Sequence, residues 1–236
     1  MEGKVVVITG AAGAIGSVTA RVFAEAGARV TLIDVREDRL YEQCEDLASK
    51  FGAQLVPNID ATDLGSVEHM VQQVLDKHGS IYGLINVAGG FRSGSPVHET
   101  DLKTWELMIN LNARSVFVAS HAVIPHIIEG GQGGRIANFS AKPALSAGKG
   151  NSAYAASKAA VLRLTESMAL ELKKHRINVN AVLPGIVNTP ANREAMPDAD
   201  HDSWVTPQQV AYVLRFLFSD EAVAVNAAGI PVTGYA

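Results

Sequence analysis

The feature that most constrains the fold of this 236-residue chain is a repeated alternation of short apolar runs with longer amphipathic segments. Several runs lack the polar alternation of a half-exposed strand, as is typical of parallel strands covered on both faces. Strand, helix and strand in this order predict one doubly wound α/β domain over residues 1–236, with a parallel sheet of about seven strands. The predicted strands are Val5–Thr9, Arg29–Asp34, Gln54–Ile59, Gly83–Val87, Arg135–Phe139, Asn178–Leu183 and Gly229–Val232.

Helical periodicity fills the intervals between these strands. Apolar side chains recur at helical spacing over residues 15–26, 67–75, 102–128 and 154–175. A further helix is predicted to begin at Thr206, because Pro207 and Gln209 then have the positions of a first-turn proline and a capping-box glutamine.

Composition argues against several classes of protein. The net charge of −4 disfavours a nucleic-acid-binding protein, for which a basic face is expected. The sequence is interpreted as having no apolar run long enough to cross a bilayer and no secretory signal, so a cytoplasmic protein without a membrane partner is predicted. Cys44 is the only cysteine, which excludes an intrachain disulfide and a cysteine cluster for a metal. Its place on an apolar helical stripe predicts a core residue.

Three glycines mark the turn between the first strand and the first helix, in VVVITGAAGAIG. Gly10, Gly13 and Gly16 allow positive φ and a close approach of the main chain to a ligand. A helix N-terminus here offers free N–H groups and a positive dipole end to a pyrophosphate. Because the turn opens the first βαβ unit and an acid follows the second strand, it predicts a Rossmann-type dinucleotide site rather than a tight turn alone.

The acid that follows the second strand is Asp34, in RVTLID. A carboxylate there can accept both ribose hydroxyls of adenosine and would repel a 2′-phosphate, so NAD is predicted in preference to NADP. Arg36, two residues later, keeps NADP open, although the adjacent Val35 carries no charge.

Two more segments follow strands at the same edge of the predicted sheet. Asp60 comes after the third strand, where a helix cap is the simpler explanation for an acid. The fourth strand runs into NVAGG, residues 86–90, whose small side chains offer a floor for an adenine or a ribose.

The segment YAASK places Tyr154 and Lys158 four residues apart, on one face of a predicted helix. A phenol with a pKa near ~10 is a poor acid–base group at neutral pH, but a neighbouring ammonium favours the phenolate and lowers that pKa. The pair predicts a proton relay in which Tyr154 is the acid/base and Lys158 its pKa-lowering partner.

Together these segments resemble the short-chain dehydrogenase/reductase family. TGAAGAIG (9–16), NVAG (86–89), YAASK (154–158) and LPG (183–185) with Thr189 have the order and spacing of that family and cover nearly the whole chain. The resemblance implies hydride transfer with a nicotinamide cofactor in a homotetramer or homodimer, with Lys158 also binding the nicotinamide ribose. The cofactor contacts that it implies are Gly10, Gly13, Ile15, Gly16, Asp34, Asp60, Ala61, Asn86, Ala88, Gly89, Tyr154, Lys158, Pro184, Gly185, Val187 and Thr189.

The family pattern also predicts an asparagine five residues before an aromatic in the middle helix. Counting back from Phe117 gives Asn112, which would hold a water between Lys158 and solvent, whereas Asn110 is interpreted as structural. The polar residue could instead satisfy local backbone groups.

A substrate-holding serine is usual in the family thirteen residues before the tyrosine and seven after the glycine of GRI. Both counts give Ala141 in this sequence. Ser140 lies one position early, where a strand side chain faces the other way, and is interpreted as a structural serine unless a bulge brings it back. Ser146, in the following loop, is a weaker candidate.

A missing hydroxyl favours a substrate that builds little localised oxyanion charge. AKPAL (141–145) and the segment 189–204 resemble the matching stretches of quinonoid dihydropteridine reductases, which also lack the serine. The resemblance therefore predicts a conjugated, pteridine-like acceptor as the first candidate for the substrate.

The segment 188–206 is predicted to be a mobile substrate lid, because it is polar and contains prolines. Its candidates for facing the substrate are Arg193, Met196 and Trp204, with packing inside the lid as an equal alternative. Candidates for lining the same cleft after the fourth strand are Phe91, Arg92 and His98.

The sequence thus predicts an NAD(H)-dependent oxidoreductase. Hydride would pass to or from a small carbonyl or alcohol, or a quinonoid substrate, through a relay of Tyr154, Lys158 and Asn112. A 3-oxoacyl-thioester reductase is the alternative substrate class. A non-catalytic NAD(H)-binding sensor is the alternative outside enzymes: the missing serine favours it, and the intact relay argues against it.

Overall fold

A seven-stranded parallel sheet organises the computed structural model, which describes residues 1–235 and leaves out Ala236, the last residue of the predicted domain. The strands are β1 Val5–Thr9, β2 Arg29–Asp34, β3 Gln54–Pro57, β4 Gly83–Asn86, β5 Gly134–Phe139, β6 Ile177–Pro184 and β7 Gly229–Val232. Their order in the sheet is β3-β2-β1-β4-β5-β6-β7, which confirms the predicted doubly wound sheet. The chain adds β2 and β3 on one side of β1 and then adds β4 to β7 on the other side. The crevice between β1 and β4 is therefore the switch point of the sheet, and ligands bind outside the carboxyl ends of the strands at such a point.

Several strand boundaries differ from those predicted by one or two residues. β3 ends at Pro57 rather than Ile59, because Asn58 adopts a left-handed backbone conformation (φ 60°) that turns the chain out of the sheet. β4 ends one residue earlier than predicted, and β5 and β6 both begin one residue earlier.

Helices cover both faces of the sheet. They are α1 Ala14–Glu25, α2 Glu37–Phe51, α3 Leu64–His78, α4 Leu102–Met108, α5 Ser115–Glu129, α6 Ser152–Glu171, α7 Pro190–Ala195 and α8 Pro207–Leu217. Alternate residues of β1 point to opposite faces: Val6 and Ile8 join the core under α1, α2 and α8, whereas Val5 and Val7 join the core under α3, α5 and α6. Cys44 is fully buried in the first of these cores, as predicted.

The predicted middle helix is interrupted. A π-helical turn, Ile109–Arg114, joins α4 to α5 within one continuous helical stretch, Leu102–Glu129. By length and composition this stretch could cross a membrane, so the expectation that no apolar run is long enough is wrong. Half of its most apolar window is buried inside the protein, as in a core helix that packs against its own domain.

The ends of two helices follow local sequence signals. Thr206 caps α8 with the predicted capping box, in which Thr206 Oγ1 accepts from Gln209 N and Gln209 Oε1 accepts from Thr206 N. The helix predicted over 154–175 is α6, which begins at Ser152 and ends at Glu171, with a 3₁₀ turn over Lys173–His175.

Candidate active site

The glycine turn brings main chain to the crevice between β1 and β4. Gly10 has φ +65°, and a Cβ on it would lie 2.8 Å from the Cα and the N of Ala88. A Cβ on Gly16 would overlap the carbonyl oxygen of Gly10. Gly13 is the N-cap residue of α1. It has no side chain to accept a hydrogen bond, so the first N–H groups of the helix have no side-chain acceptor. The N–H groups of residues 11–13 already donate within the protein, so the ones left open to a ligand are those of the first turn of α1. We call the glycine turn and this helix end the cradle.

Replacing Gly10 by Ala is expected to destabilise the protein beyond the effect of its positive φ. Gly52 is a matched control, because it has φ +70° and a Cβ added to it would have no neighbour within 4 Å. The added clash with Ala88 should make Gly10→Ala less stable than Gly52→Ala by about 1–3 kcal/mol. Urea unfolding of the two variants measures the difference, and equal losses would show that the turn has room for a side chain.

Asp34 links the end of β2 to the glycine turn. Its buried carboxylate accepts a hydrogen bond from Ala12 N (3.2 Å) through Oδ2. Through Oδ1 it accepts from the N and the Nε of Arg36, at 3.0 and 3.2 Å. The acid therefore lies beside the cradle, as predicted, and a guanidinium partly neutralises its charge.

Asp60 and Ala61 follow β3 at the neighbouring position of the same edge. Ile59 N donates to Asp34 O (3.2 Å), which holds this segment beside the end of β2. Asp60 Oδ1 accepts from the N and the Oγ1 of Thr62, both at 2.8 Å, and so closes a turn. The interpretation of Asp60 as a helix cap is wrong, because Asp63 caps α3 by accepting from Ser66 N.

The segment 86–90, predicted to be the floor for the cofactor, starts at the end of β4. Asn86, the last residue of that strand, is buried: its Nδ2 donates to Asn138 Oδ1 (2.9 Å) in the core, and its shielded Oδ1 has no partner among the described residues. Ala88 N donates to Thr9 Oγ1 (3.1 Å), which fixes the floor to β1. A Cβ on Gly89 would lie 2.8 Å from Asn112 Oδ1 and 3.3 Å from Lys158 Nζ. The floor therefore meets the predicted relay at Gly89.

Tyr154 and Lys158 lie one turn apart on α6, with the ammonium 5.9 Å from the centroid of the phenol ring. Lys158 Nζ donates to the carbonyl oxygen of Phe139 at 2.8 Å, behind Gly89. Burial lowers the pKa of Lys158 to about 8 and raises the pKa of Tyr154 to about 12. The expectation that Lys158 lowers the Tyr154 pKa is wrong for this arrangement, since the ammonium faces a carbonyl and both groups have lost water.

Asn112 lies in the π-helical turn and is fully buried. Its Oδ1 accepts from Gly90 N (3.0 Å), and its Nδ2 donates to Gly90 O (3.1 Å) and to Ser157 Oγ (3.0 Å). Both amide hydrogens are used, so a water could only donate to Oδ1. The water-holding role stays a prediction, whereas Asn110 is exposed.

Ser157 is a site residue that the sequence reasoning missed. Its hydroxyl donates to the carbonyl oxygen of Tyr154 (2.7 Å) and accepts from Asn112, so it joins the relay helix to the middle helix. The sequence signal for this role was its position three residues after Tyr154 on a helix, from which a serine hydroxyl can donate to the carbonyl of the preceding turn.

Ser140, the serine at the end of β5 that precedes the Tyr–Lys pair, has a structural role. Ser140 Oγ donates to the carbonyl oxygen of Lys158 (2.8 Å), and Ser140 N continues the pairing of β5 with β6 by donating to Val182 O (3.0 Å). The predicted alternative of a bulge is therefore wrong, and the interpretation of Ser140 as structural is confirmed. Ala141 follows it, buried and extended, and Ser146 is exposed.

The segment predicted as a lid is folded rather than an open loop. It contains α7 and a 3₁₀ turn, His201–Ser203, and a bridge between Val187 and Val205 closes its base. Trp204 is buried and packs against the His201 ring at 4.5 Å, so its role is packing within this segment. Arg193 is exposed and donates to Asn188 Oδ1.

The start of this segment is fixed at the end of β6. Pro184 ends the strand, and Gly185 N donates to Val232 O (3.0 Å). Thr189 Oγ1 accepts from Asn192 N and caps α7. Its hydroxyl hydrogen is left free, so it could donate to the carboxamide of a nicotinamide. Met196 is half-buried, and its carbonyl oxygen is bonded to His201 Nε2.

An exposed aromatic ring lies against the relay tyrosine. Phe91 is 63% exposed, and its ring meets that of Tyr154 edge-on at 4.8 Å. Of the three cleft candidates after β4, Phe91 therefore contacts Tyr154, and Arg92 lines the same cleft as Phe91. Arg92 and His98 are exposed, without such a contact to Tyr154 among the described residues.

A doubly wound sheet with a glycine cradle at its crevice and a Tyr–Lys pair beside it defines an oxidoreductase with a nucleotide-binding fold. The sequence profile described as short chain dehydrogenase matches residues 4–200, and the chain belongs to that family, as its motifs predicted.

Relatives of this chain act on different substrates. The 3-oxoacyl-[acyl-carrier-protein] reductase of Thermotoga maritima is 34% identical over 99% of this chain and 98% of its own. Carveol dehydrogenase from Mycobacterium avium in complex with NAD has a TM-score of 0.89 at 28% identity, covering 98% of this chain and 96% of that one. L-sorbose reductase from Gluconobacter frateurii, complexed with NADPH and L-sorbose, has a TM-score of 0.89 at 26% identity, covering 99% and 96%.

Proposed function

We propose that this protein transfers hydride between NAD(H) and the carbonyl or alcohol group of a small substrate, with Tyr154 as the acid/base. One observation carries the proposal: Lys158 Nζ reaches the floor at Gly89 from the same helix that presents Tyr154. A proton-transfer group and a cation are thereby held beside the place where the fold accepts a dinucleotide.

The residues present fit a dinucleotide. Gly10 and Gly16 leave main chain exposed where side chains would clash, and the N-terminus of α1 suits a pyrophosphate. Asp34 lies where a ribose would reach it, and Lys158 uses one of its three N–H groups on Phe139, which leaves two for ribose hydroxyls. A bound nicotinamide supplies hydride transfer, while the chain supplies binding, orientation and the proton.

Protonation of the relay suits carbonyl reduction. With a pKa of about 12, Tyr154 keeps its proton at neutral pH and donates it to the substrate oxygen. Lys158, with a pKa of about 8, is charged at neutral pH and would hold the nicotinamide ribose with the N–H groups that Phe139 leaves free. To restore the phenol, Lys158 would pass a proton to the phenolate and recover it from a water that Asn112 orients. Residues 188–206 would cover the substrate.

Cofactor choice depends on Asp34 and Arg36 in this proposal. In Asp34→Asn the hydrogen bond to Ala12 is retained by an amide oxygen, but the charge that repels a 2′-phosphate is lost. The ratio of the Kd for NADPH to the Kd for NADH should fall by at least about tenfold, which corresponds to about 1.4 kcal/mol. Fluorescence titration with both cofactors measures it, and tighter binding of NADPH by the unaltered protein would overturn the NAD assignment.

The alanine at position 141, where the family usually has a serine, allows a test with two variants of which residue could hold the substrate. Ala141→Ser should raise kcat/KM for a simple ketone, because a donor at this place can stabilise developing oxyanion charge. Ser140→Ala should cost about 1 kcal/mol of stability through its lost bond to Lys158 O, with turnover retained. Loss of activity in Ser140→Ala without unfolding would mean that Ser140 holds the substrate.

A 3-oxoacyl thioester is the second candidate substrate, favoured by the 34% identity to the Thermotoga maritima reductase over nearly the whole of both chains. The decisive experiment follows NADH absorbance with an acetoacetyl thioester, simple ketones and quinonoid dihydropterin. Turnover of a ketone or thioester is the expected result. Preferred turnover of the dihydropterin would support the pteridine-like class, and tight NADH binding without any turnover would support the sensor.

Self-association in the cytoplasm completes the proposal. Phe117 on α5, and Tyr212 and Phe216 on α8, are large exposed apolar side chains that a second copy could cover in a homodimer or homotetramer.

A further inference from the structure

A polar cleft of about 400 Å³ lies beside the relay, between the loop that follows β4, the start of α4 and the first turn of α6. Phe91 connects the cleft to the relay, because its side chain lines the cleft and its ring lies 4.8 Å from the Tyr154 ring. We propose that this cleft binds the hydroxyl-bearing part of a neutral polyol or sugar-like substrate whose reacting carbon lies at Tyr154. The inference rests on the proposed function for the chemistry at Tyr154 alone.

The chemistry of the cleft wall favours hydroxyl groups. Small-molecule sites of about 300–1,000 Å³ are usually apolar with a few polar groups, and this one is mainly polar. Its neutral polar side chains are Ser93, Ser95, Thr100, Thr104, Asn151 and Ser152. Hydroxyls and amides both donate and accept, as the hydroxyls of a polyol do. The exposed ring of Phe91 offers an apolar surface to the C–H groups between those hydroxyls.

Several of these polar groups have unused hydrogen-bonding capacity. Asn151 precedes α6 but does not cap it, and its shielded Oδ1 has no partner. Among residues 1–235, the hydroxyls of Ser93, Ser95 and Ser152 make no hydrogen bond to another protein group. A shielded acceptor without a partner costs free energy that a ligand hydroxyl can recover.

Charge in the cleft disfavours an anionic substrate. Arg92 is the cation of its wall, and Glu99 and Asp101 are two carboxylates. A phosphate or carboxylate would meet more negative than positive charge, whereas a neutral hydroxyl can donate to the carboxylates and accept from the guanidinium.

The cleft is held open by contacts between its walls. Gly94 N donates to Gly150 O (2.8 Å), which ties the β4 loop to the segment before α6. Gly150 has φ +75°, which turns the chain into that segment. Asn112 holds both the N–H and the C=O of Gly90, next to Phe91. A preformed site loses less conformational entropy on binding.

The test compares xylitol with cyclohexanol, an alcohol without the additional hydroxyls, as substrates for oxidation with NAD. The double variant Ser93→Ala/Ser95→Ala removes two cleft hydroxyls, and Ser49→Ala, on the exposed face of α2, is the matched control. In the double variant, KM for xylitol should rise about tenfold, as expected for two lost hydrogen bonds. KM for cyclohexanol, kcat for both alcohols and NADH binding should stay within about twofold.

Binding is measured separately by calorimetric titration of xylitol, D-sorbitol and glycerol into the protein saturated with NADH. Binding that weakens in the double variant, without turnover of any alcohol, would support the cleft while contradicting the proposed function. An equal rise in KM for cyclohexanol, or no binding of any of the three polyols, would overturn the cleft assignment even if ketones are reduced.

Discussion

Replacing Tyr154 by Phe is expected to lower kcat by about 10²–10⁴-fold, the range that a positioned acid–base group contributes. In the proposed mechanism this phenol is the proton donor, and its pKa of about 12 keeps it protonated at neutral pH. The ring contact with Phe91 does not need the hydroxyl, so the fold and the binding of NADH should be retained. Steady-state rates and NADH titration measure the two effects separately.

A matched control for this prediction is Tyr212→Phe, which removes a phenol hydroxyl from a half-exposed ring on α8. That variant should keep its full kcat. Equal turnover by Tyr154→Phe and the unaltered protein would show that another group supplies the proton, and the proposed mechanism would fail.

Replacing Lys158 by Met is expected to abolish turnover while stabilising the folded protein. The ammonium is buried, and its pKa falls from an ordinary 10.5 to about 8. This difference corresponds to about 3 kcal/mol of unfavourable burial at neutral pH, of which the bond to Phe139 O offsets a part. Met has a similar length without the charge, so the free energy of unfolding should rise by about 1–3 kcal/mol at pH 7 as kcat falls at least about 10²-fold.

The pH dependence of this gain distinguishes charge burial from better packing. Below pH 8 Lys158 is protonated in both the folded and the unfolded protein, so the folded protein bears the full free-energy cost of burying the ammonium. Between pH 8 and 10.5 the unfolded chain binds more protons, so the stability of the unaltered protein rises relative to the variant. Urea unfolding at pH 7 and pH 10 should show the gain shrinking, and a gain independent of pH would refute the charge-burial explanation.

Much of the fold and of the cofactor edge could be predicted because local pattern determines them. Buried strands read as apolar runs, and β2 and β7 were placed with the correct ends. The glycine at position 10 was a reliable signal, because the main chain of Ala88, just after β4, approaches it too closely for a side chain. The structural role of Ser140 could be predicted from the alternation of side chains along a strand, because β5 keeps its regular pairing up to Ser140.

The parts that could not be predicted depend on partners distant in sequence. Asn86 belongs to a motif of small residues, but its Nδ2 donates to Asn138 in the core. Burial raises the pKa of Tyr154, and no spacing along α6 reveals that burial or the contact of Lys158 with Phe139. The π-helical turn and the folding of the lid segment likewise result from tertiary contacts that override local propensity.

The single thiol of the chain lies directly beneath the glycine cradle. Cys44 Sγ donates to the carbonyl oxygen of Ala11 at 3.6 Å, and burial raises the pKa of the thiol to about 11. A thiol reagent can therefore react only after α2 separates from the turn and the sulfur reaches water. Its rate of labelling reports how often that corner of the molecule opens, and it does so without any introduced probe.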